Sequence, residues 1–424
     1  MERNKKIAVI GSGISGITIA SILKDVCDVT VYERSEYIGG LVHCNRVDNY
    51  LYHRVGGHVF NSKNKQVLEW FWNKFDKETE FIRAKRNAKI LYQNSFIGYP
   101  IENFLYQLDN TLMERIISEL LEINSRDAID PMDYSDFEEF LKGNFGDTLY
   151  NFYFKPYNEK IWKTDLKTVP MHWLEGKLPM PRLLEVVTSN IKREAEGNMV
   201  HASFFYPKKG GSQFIADRLA EGLTIHTKHV LEKIECLPSG KVRVFEQEYD
   251  GLIYTGDVRQ LPDMIAADDK EMFGAYKEIS SLRSNGTSSI LCSCDANDLS
   301  WLYIPEPEFK AHRIIYTGNF SDTNNKENIS GRSSCTVEFS GICSVEEMKS
   351  ELERLPGNLK YIDYNTEVNS YVIQDPDTRK AIKAYKEYLK NHNIYLLGRF
   401  GEWEYYNMDK AMEAAFELKA YIVN

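Results

Sequence analysis

An apolar run, Ile7 to Ile10, breaks off into Gly11-Ser12-Gly13-Ile14-Ser15-Gly16, and a helix-like stretch, Ile17 to Leu23, follows at once. A strand, a glycine turn and a helix in that order build the cradle of a dinucleotide pyrophosphate. Gly11 permits the tight turn. Gly13 lets the backbone approach the phosphates, Ile14 and Ser15 open the helix, and Gly16 lets that helix pack on the strand. The helix start adds free N–H groups and a partial positive charge. A bare strand–turn–helix unit could carry the same glycines. The next strand, Asp28 to Tyr32, ends on Glu33, however, roughly 20 residues past the first glycine, where an acid accepts hydrogen bonds from the ribose hydroxyls.

Glu33-Arg34 leads into Gly39-Gly40-Leu41. An acid beside an arginine could serve NADP, but the second glycine pair does not suit that reading. The combination resembles the flavin signature of the glutathione-reductase and amine-oxidase superfamily, which implies FAD. Further on, Val55-Gly56-Gly57-His58-Val59-Phe60-Asn61 suggests backbone lying close to a planar ligand. His58, without neighbours at ligand spacing, reads as a hydrogen-bonding or packing histidine near the flavin. Val230, at the start of an expected strand over 230–234, completes the expected nucleotide contacts.

The chain has 424 residues, 43% of them hydrophobic and 12% aromatic, enough for a large core divided into lobes. A net charge of -10 argues against a nucleic-acid partner and requires a local basic patch for any anionic ligand. Seven cysteines without framework spacing fit a reducing compartment, and Cys292-x-Cys294 reads as alternate positions of a buried strand. The first strand begins within a few residues, and no run reaches the ~18 apolar residues of a membrane span. A cytoplasmic protein without signal peptide or transmembrane segment is therefore expected.

The expected fold is α/β: a Rossmann-type FAD-binding domain with an inserted helical lobe and an antiparallel substrate-side sheet. Residues 1–65, 205–260 and 390–424 form the discontinuous FAD domain. Residues 66–204 form a mainly helical insertion carrying a mobile loop, and 261–389 the substrate-side sheet. Within the insertion, 66–85 reads as helix and Phe104 to Ile123 as another. The stretch Tyr157-Asn158-Glu159-Lys160-Ile161-Trp162 reads either as a core helix or as a pocket wall. The loop breaks at Leu178-Pro179-Met180-Pro181-Arg182. At the C-terminal end a strand, Asn393 to Leu397, runs into Gly398-Arg399-Phe400-Gly401 and a closing helix, Met412 to Ile422. An arginine at such a turn can neutralise a pyrophosphate.

Taken together, GSGISG, ERSEYIGG, GGHVFNS, YNEKIW, HRIIYTGNF and GRFGEWEYYNMD resemble the flavin-dependent UDP-galactopyranose mutases of the amine-oxidase-like superfamily. The resemblance implies a UDP-hexose substrate interconverted between pyranose and furanose through a bond between reduced flavin N5 and the sugar, for cell-surface polysaccharide synthesis. FAD would have to be reduced, by NAD(P)H or another reductant. The resemblance places Arg313, Tyr405, Tyr371 and a loop cation, Lys177 or Arg182, on the diphosphate. Tyr157 and Trp162 line the nucleotide and sugar pocket, Arg399 lies on the FAD pyrophosphate, and Tyr406, Asn407 and Met408 lie by the flavin ring. Where the family has a loop arginine this chain has Lys177, a point charge in place of a fork. Asn61 and Asn407 also depart from the family pattern. A homodimer is compatible with the resemblance. The rival reading is an FAD-dependent redox enzyme of the amine-oxidase or protoporphyrinogen-oxidase type, on YPKKGGSQF and WLYIPEPEF.

Overall fold

A computed structural model describes residues 5–127, 129–171, 182–193, 203–265, 273–327 and 331–423. The fold is mixed α/β with a Rossmann-like nucleotide domain and several sheets. The elements that carry the site are β1 (Lys6–Ile10), α1 (Ile14–Leu23), β2 (Asp28–Tyr32), α2 (Lys155–Trp162), β3 (Arg283–Asp295), β4 (Ala311–Ile315), β5 (Arg332–Ser340), β6 (Lys360–Ile373), α3 (Thr378–Lys390) and α4 (Met408–Val423).

The nucleotide sheet is five-stranded, with order Ile394–Leu396, Gly251–Tyr254, β1, β2, Thr224–His226, and every pairing is parallel. Parallel strands are covered on both faces, which explains why β1 reads as a continuous apolar run. All ten residues of α1 are buried. Ile19, Ile22 and Leu23 pack with Ala414, Ala415 and Ile422 of α4, so the two ends of the chain close one core. Burying each of the isoleucine and leucine side chains contributes roughly 1.5–3 kcal/mol before entropic costs.

The larger sheet has seven strands, ordered β6, β3, β5, β4, Trp301–Tyr303, Ala88–Tyr92, Ser95–Gly98. It is antiparallel except where Trp301–Tyr303 runs parallel to Ala88–Tyr92. Residues 88–98, which lie between helices in the sequence, thus belong to this sheet. Cys292 and Cys294 lie on β3, both fully buried, as alternate strand positions should be in a covered sheet.

Several local expectations are corrected. The helix over 66–85 ends at Lys74. Asp76 then accepts the N–H groups of Glu78 and Thr79, both at 2.9 Å, and turns the chain into a strand, Phe81–Lys85, that pairs with Ser203–Pro207. No strand forms over 230–234: Lys228 takes a positive φ of 60° and Val230 is exposed. The helix expected from Phe104 begins at Asn110, capped by Asp109, after a tighter turn over Ile101–Gln107. The closing helix starts at Met408 rather than Met412. The fourteen-residue strand β6 was not anticipated. Among the described residues no helix is long and apolar enough to cross a membrane. Lys177 and the loop residues 178–181 lie outside the described residues.

Candidate functional site

The glycine turn has the geometry its spacing predicts. Gly11 has φ +99° and donates its N–H to Tyr32 at 2.8 Å, which ties the turn to β2. A Cβ on Gly16 would stand 2.0 Å from the Gly11 carbonyl oxygen. A Cβ on Gly13 would meet nothing within 4 Å, so open space lies over the turn where a phosphate would sit. Gly39 runs beside Gly13 and donates its N–H to Ser12 at 2.9 Å, while Gly40 and Leu41 continue into a short helical turn. Gly398, with φ +86°, lies so close to Ser15 that a Cβ there would be 2.5 Å from its Oγ.

Glu33 is buried at the end of β2. Its Oε2 accepts from the Ser12 N–H and Oγ, both at 2.8 Å, and its Oε1 from the Ser35 N–H at 2.8 Å and Oγ at 2.9 Å. Burial opposes the charge, but these bonds outweigh it and hold the carboxyl below its usual pKa. These four bonds occupy the roughly four acceptor sites of the carboxylate, so a ribose hydroxyl would take the place of one of the serine donors. Arg34 is exposed. His229 donates its N–H to the Glu33 carbonyl at 2.8 Å, which sets Val230 beside the acid.

The Gly56-Gly57-His58 loop packs against the large sheet. Gly56 has φ +71°, and a Cβ on Gly57 would be 2.5 Å from Ile315 Cγ2. His58 Nε2 is buried and has no hydrogen-bond partner. Burial first, then the charges of Arg399 and Arg313, push its pKa down to about 4, so the imidazole is neutral near pH 7. An orphaned ring nitrogen beside glycine backbone, together with the open turn, fits a planar dinucleotide cofactor such as FAD.

The aromatic cluster forms where α2, the large sheet and the chain before α4 meet. Trp162 meets the Tyr371 ring edge-on at 5.5 Å and that of Tyr405 at 6.1 Å. Tyr371 and Tyr405 are parallel, centroids 5.8 Å apart. Trp162 is fixed from behind: the Ile161 carbonyl accepts from Asn285 Nδ2 at 2.8 Å and from Ser340 Oγ at 2.7 Å. Lys160 donates to the carbonyls of Ile304 at 2.8 Å, Glu306 at 2.7 Å and Ala311 at 3.3 Å, pinning α2 to the sheet. Tyr157 stacks on Tyr153 at 5.6 Å and meets Tyr303 edge-on at 5.5 Å.

Arg313 enters this cluster from β4. Its Nε donates to Glu338 Oε2, and its terminal nitrogen reaches Tyr371 Oη at 3.3 Å. Burial disfavours the cation, but Glu338 dominates and raises its pKa well above the ordinary value. Arg399 passes over the Tyr405 ring at 4.6 Å and donates to the carbonyls of Ser370, at 2.9 Å, and Tyr406. Its guanidinium therefore sits with Tyr405 and Tyr406, on the aromatic side of the turn that Gly398 makes against Ser15. Asn407 is exposed and Met408 buried at the start of α4.

Arg182 is not brought into the cluster: its side chain is 79% exposed and pairs with Glu185. Three further groups escaped the sequence reading. Glu338 is fully buried on β5, and a lone acid within the apolar run CTVEF was the available signal. His312 is fully buried in a bulge of β4, both ring nitrogens without hydrogen-bond partners. Arg86 is half-buried among Tyr99, Trp301 and Tyr303, over the first ring at 4.6 Å.

The NAD(P)-binding Rossmann-like domain family matches residues 9–75. Over 184 residues the chain is 29% identical to the dTDP-fucopyranose mutase of Escherichia coli, covering 41% of this chain and 46% of that protein. It is 25% identical over 185 residues to a probable UDP-galactopyranose mutase of Klebsiella pneumoniae, covering 42% and 46%. The matching stretch thus spans about half the length of these relatives. A solved structure of reduced UDP-galactopyranose mutase superposes over 99% of this chain and 96% of its own, with TM-score 0.85 and 20% identity. A putative protoporphyrinogen oxidase from Exiguobacterium covers 99% of both chains with TM-score 0.72 and 14% identity. In part of its sequence this chain resembles the dTDP-fucopyranose and UDP-galactopyranose mutases, and in its whole fold it resembles a reduced UDP-galactopyranose mutase and a putative protoporphyrinogen oxidase.

Proposed function

We propose that the chain is a flavin-dependent sugar-nucleotide mutase that interconverts the pyranose and furanose forms of a UDP-hexose for a cell-surface polysaccharide. The observation that carries this reading is Arg313. It is held by a buried carboxylate and presented to Tyr371 beside Tyr405 and Trp162. A fixed cation among aromatic rings suits a nucleoside diphosphate: the guanidinium takes the phosphates and the rings take base and sugar.

Gly11 to Gly16, Glu33, Gly39-Gly40, Gly57, Val230 and Gly398 would hold FAD. When bound and reduced, by NAD(P)H or another reductant, FAD would supply the nucleophile that exchanges with UDP at the anomeric carbon. The chain's own task is to hold the departing diphosphate close, with Arg313, Tyr371 and Tyr405, so that it can recapture the sugar. His58, neutral by burial, leaves no imidazolium to protonate the sugar ring. Lys177 would supply the loop cation, since Arg182 is turned to solvent with Glu185.

The test is to give reduced, FAD-loaded protein UDP-galactofuranose and follow the pyranose by chromatography. Lack of conversion with any UDP- or TDP-hexose would falsify the mutase reading. The second reading, a redox enzyme, is favoured by the full-length likeness to a putative protoporphyrinogen oxidase. It requires that substrate alone reduce the flavin. Anaerobic spectra separate the two, because the mutase needs its flavin reduced beforehand.

A further inference from the structure

The proposed cofactor side and the proposed substrate side meet at one buried group. Glu338 lies on β5, directly opposite Arg313 on β4. Its carboxylate is fully buried, and the two oxygens serve different partners. Oε1 accepts the N–H of Gly56 at 2.6 Å, and Oε2 accepts the Nε–H of Arg313. Gly56 opens the loop that carries His58, and Gly57 in that loop lies so close to Ile315 and Phe320 that a Cβ there would clash. Arg313 in turn reaches Tyr371, which stacks on Tyr405. His312 Nε2 also stands 3.7 Å from Oε2, beyond hydrogen-bond reach, and the carboxylate's charge is felt by Tyr371.

We propose that Glu338 is a positioning residue that fixes the His58 loop and the Arg313 guanidinium relative to one another. It thereby sets where a nucleotide's diphosphate stands above the flavin. The inference rests on the sugar-nucleotide reading given above. A carboxylate suits the task because it accepts on both oxygens. An amide of the same shape cannot do so. Glutamine would keep an acceptor for Gly56 but turn an NH2 group toward Arg313, placing two donors face to face. Aspartate, one methylene shorter, cannot span both partners.

The experiment uses the FAD-loaded full chain and its E338Q, E338D, R313A and R313A/E338Q variants. Flavin content and melting temperature are measured first, then UDP affinity and the visible circular dichroism of the bound flavin. In E338Q the flavin content is expected to be retained, with the UDP Kd raised at least tenfold. E338D should not restore it, and E338Q should add nothing in the R313A background. Equal UDP affinity in wild type and E338Q, or additive losses in the double variant, would overturn the proposal. If wild type itself binds no UDP, the functional reading falls, and the flavin signal alone judges Glu338. R313A must then perturb the flavin dichroism when Glu338 is present and not when it is glutamine. Independent effects sink the link. If E338Q fails to fold, E338D and R313A decide by the same flavin signal.

Discussion

Gly398 and Ser15 come together at the glycine turn proposed to cradle the cofactor, where a Cβ on the glycine would lie 2.5 Å from the serine Oγ. One residue opens the first helix of the chain and the other follows its last strand. Gly398 also has φ +86°, a backbone region costly for side chains. Gly398→Ala is therefore expected to separate the two halves of the cradle. FAD affinity should fall at least tenfold and the melting temperature should drop; an alanine variant that retains tight FAD would refute the cradle.

Gly13 and Gly16 predict opposite phenotypes from the same substitution. Alanine at Gly16 would clash with the Gly11 carbonyl oxygen at 2.0 Å, whereas at Gly13 it meets no protein atom within 4 Å. Gly16→Ala should lower the melting temperature of the cofactor-free protein. Gly13→Ala should leave it within a degree or two and weaken FAD binding. Calorimetry of the apoprotein, paired with FAD titration, checks both. A stable, FAD-tight Gly13→Ala protein would remove that glycine from the phosphate site.

Arg313→Ala should cost both binding and stability. A lost charge-assisted contact to phosphate is worth ~1.5–3 kcal/mol, about tenfold to hundredfold in UDP affinity. Glu338 would also be left buried without its cation, which destabilises by on the order of 3 kcal/mol. Isothermal titration and urea unfolding measure the two effects separately. Unchanged UDP affinity would take Arg313 out of the nucleotide site.

His58 predicts an acid-sensitive fold with a defined sign. Its pKa of about 4 lies below the usual 6.5 because the buried ring resists charging. Between those values the unfolded chain binds more protons, so stability rises with pH from about 4 to 6.5 and then levels. His53, lowered to about 3 by burial, adds to the same slope. Glu33 acts in a lower window: its depressed pKa means that its contribution fades as pH falls below the usual carboxyl range. Urea unfolding of His58→Asn between pH 4 and 7 should show a shallower slope than wild type, and an unchanged slope would contradict the assignment.

Lys160→Met should loosen α2. Three carbonyls, of Ile304, Glu306 and Ala311, would lose their shared donor. The expected cost is ~2 kcal/mol, since unsatisfied buried acceptors forfeit ~1–3 kcal/mol. UDP should bind several-fold more weakly, because Tyr157 and Trp162 ride on that helix. Equal UDP affinity with normal stability would show that α2 is held without the lysine.

The nucleotide half was legible because its signals are local. Gly11 and Gly398 take a positive φ and Gly16 has no room for a Cβ, so each marks its turn in the sequence, and Glu33 follows at the spacing of the next strand end. β6 was not legible: it is an edge strand whose first ten residues, Lys360 to Asn369, are polar or partly exposed, so neither an apolar run nor a clean alternation marks it. The helix over 66–85 failed at Asp76, where a side chain competing for backbone N–H groups ended it. Arg313 and Tyr371 could be named only through resemblance, and Glu338 was passed over because an acid within CTVEF has no local partner.

By itself the sequence determined a dinucleotide fold with glycines at its phosphate turn and a second such turn near the other end. Their backbone geometry depends on neighbours a few residues away. Tertiary structure alone decided that Glu338 holds Gly56 and Arg313 together, that Arg399 lies on Tyr405, and that Arg182 faces solvent. The first of these depends on which strands pair and on the bulge in β4, and long-range pairing leaves no mark in the spacing of neighbouring residues.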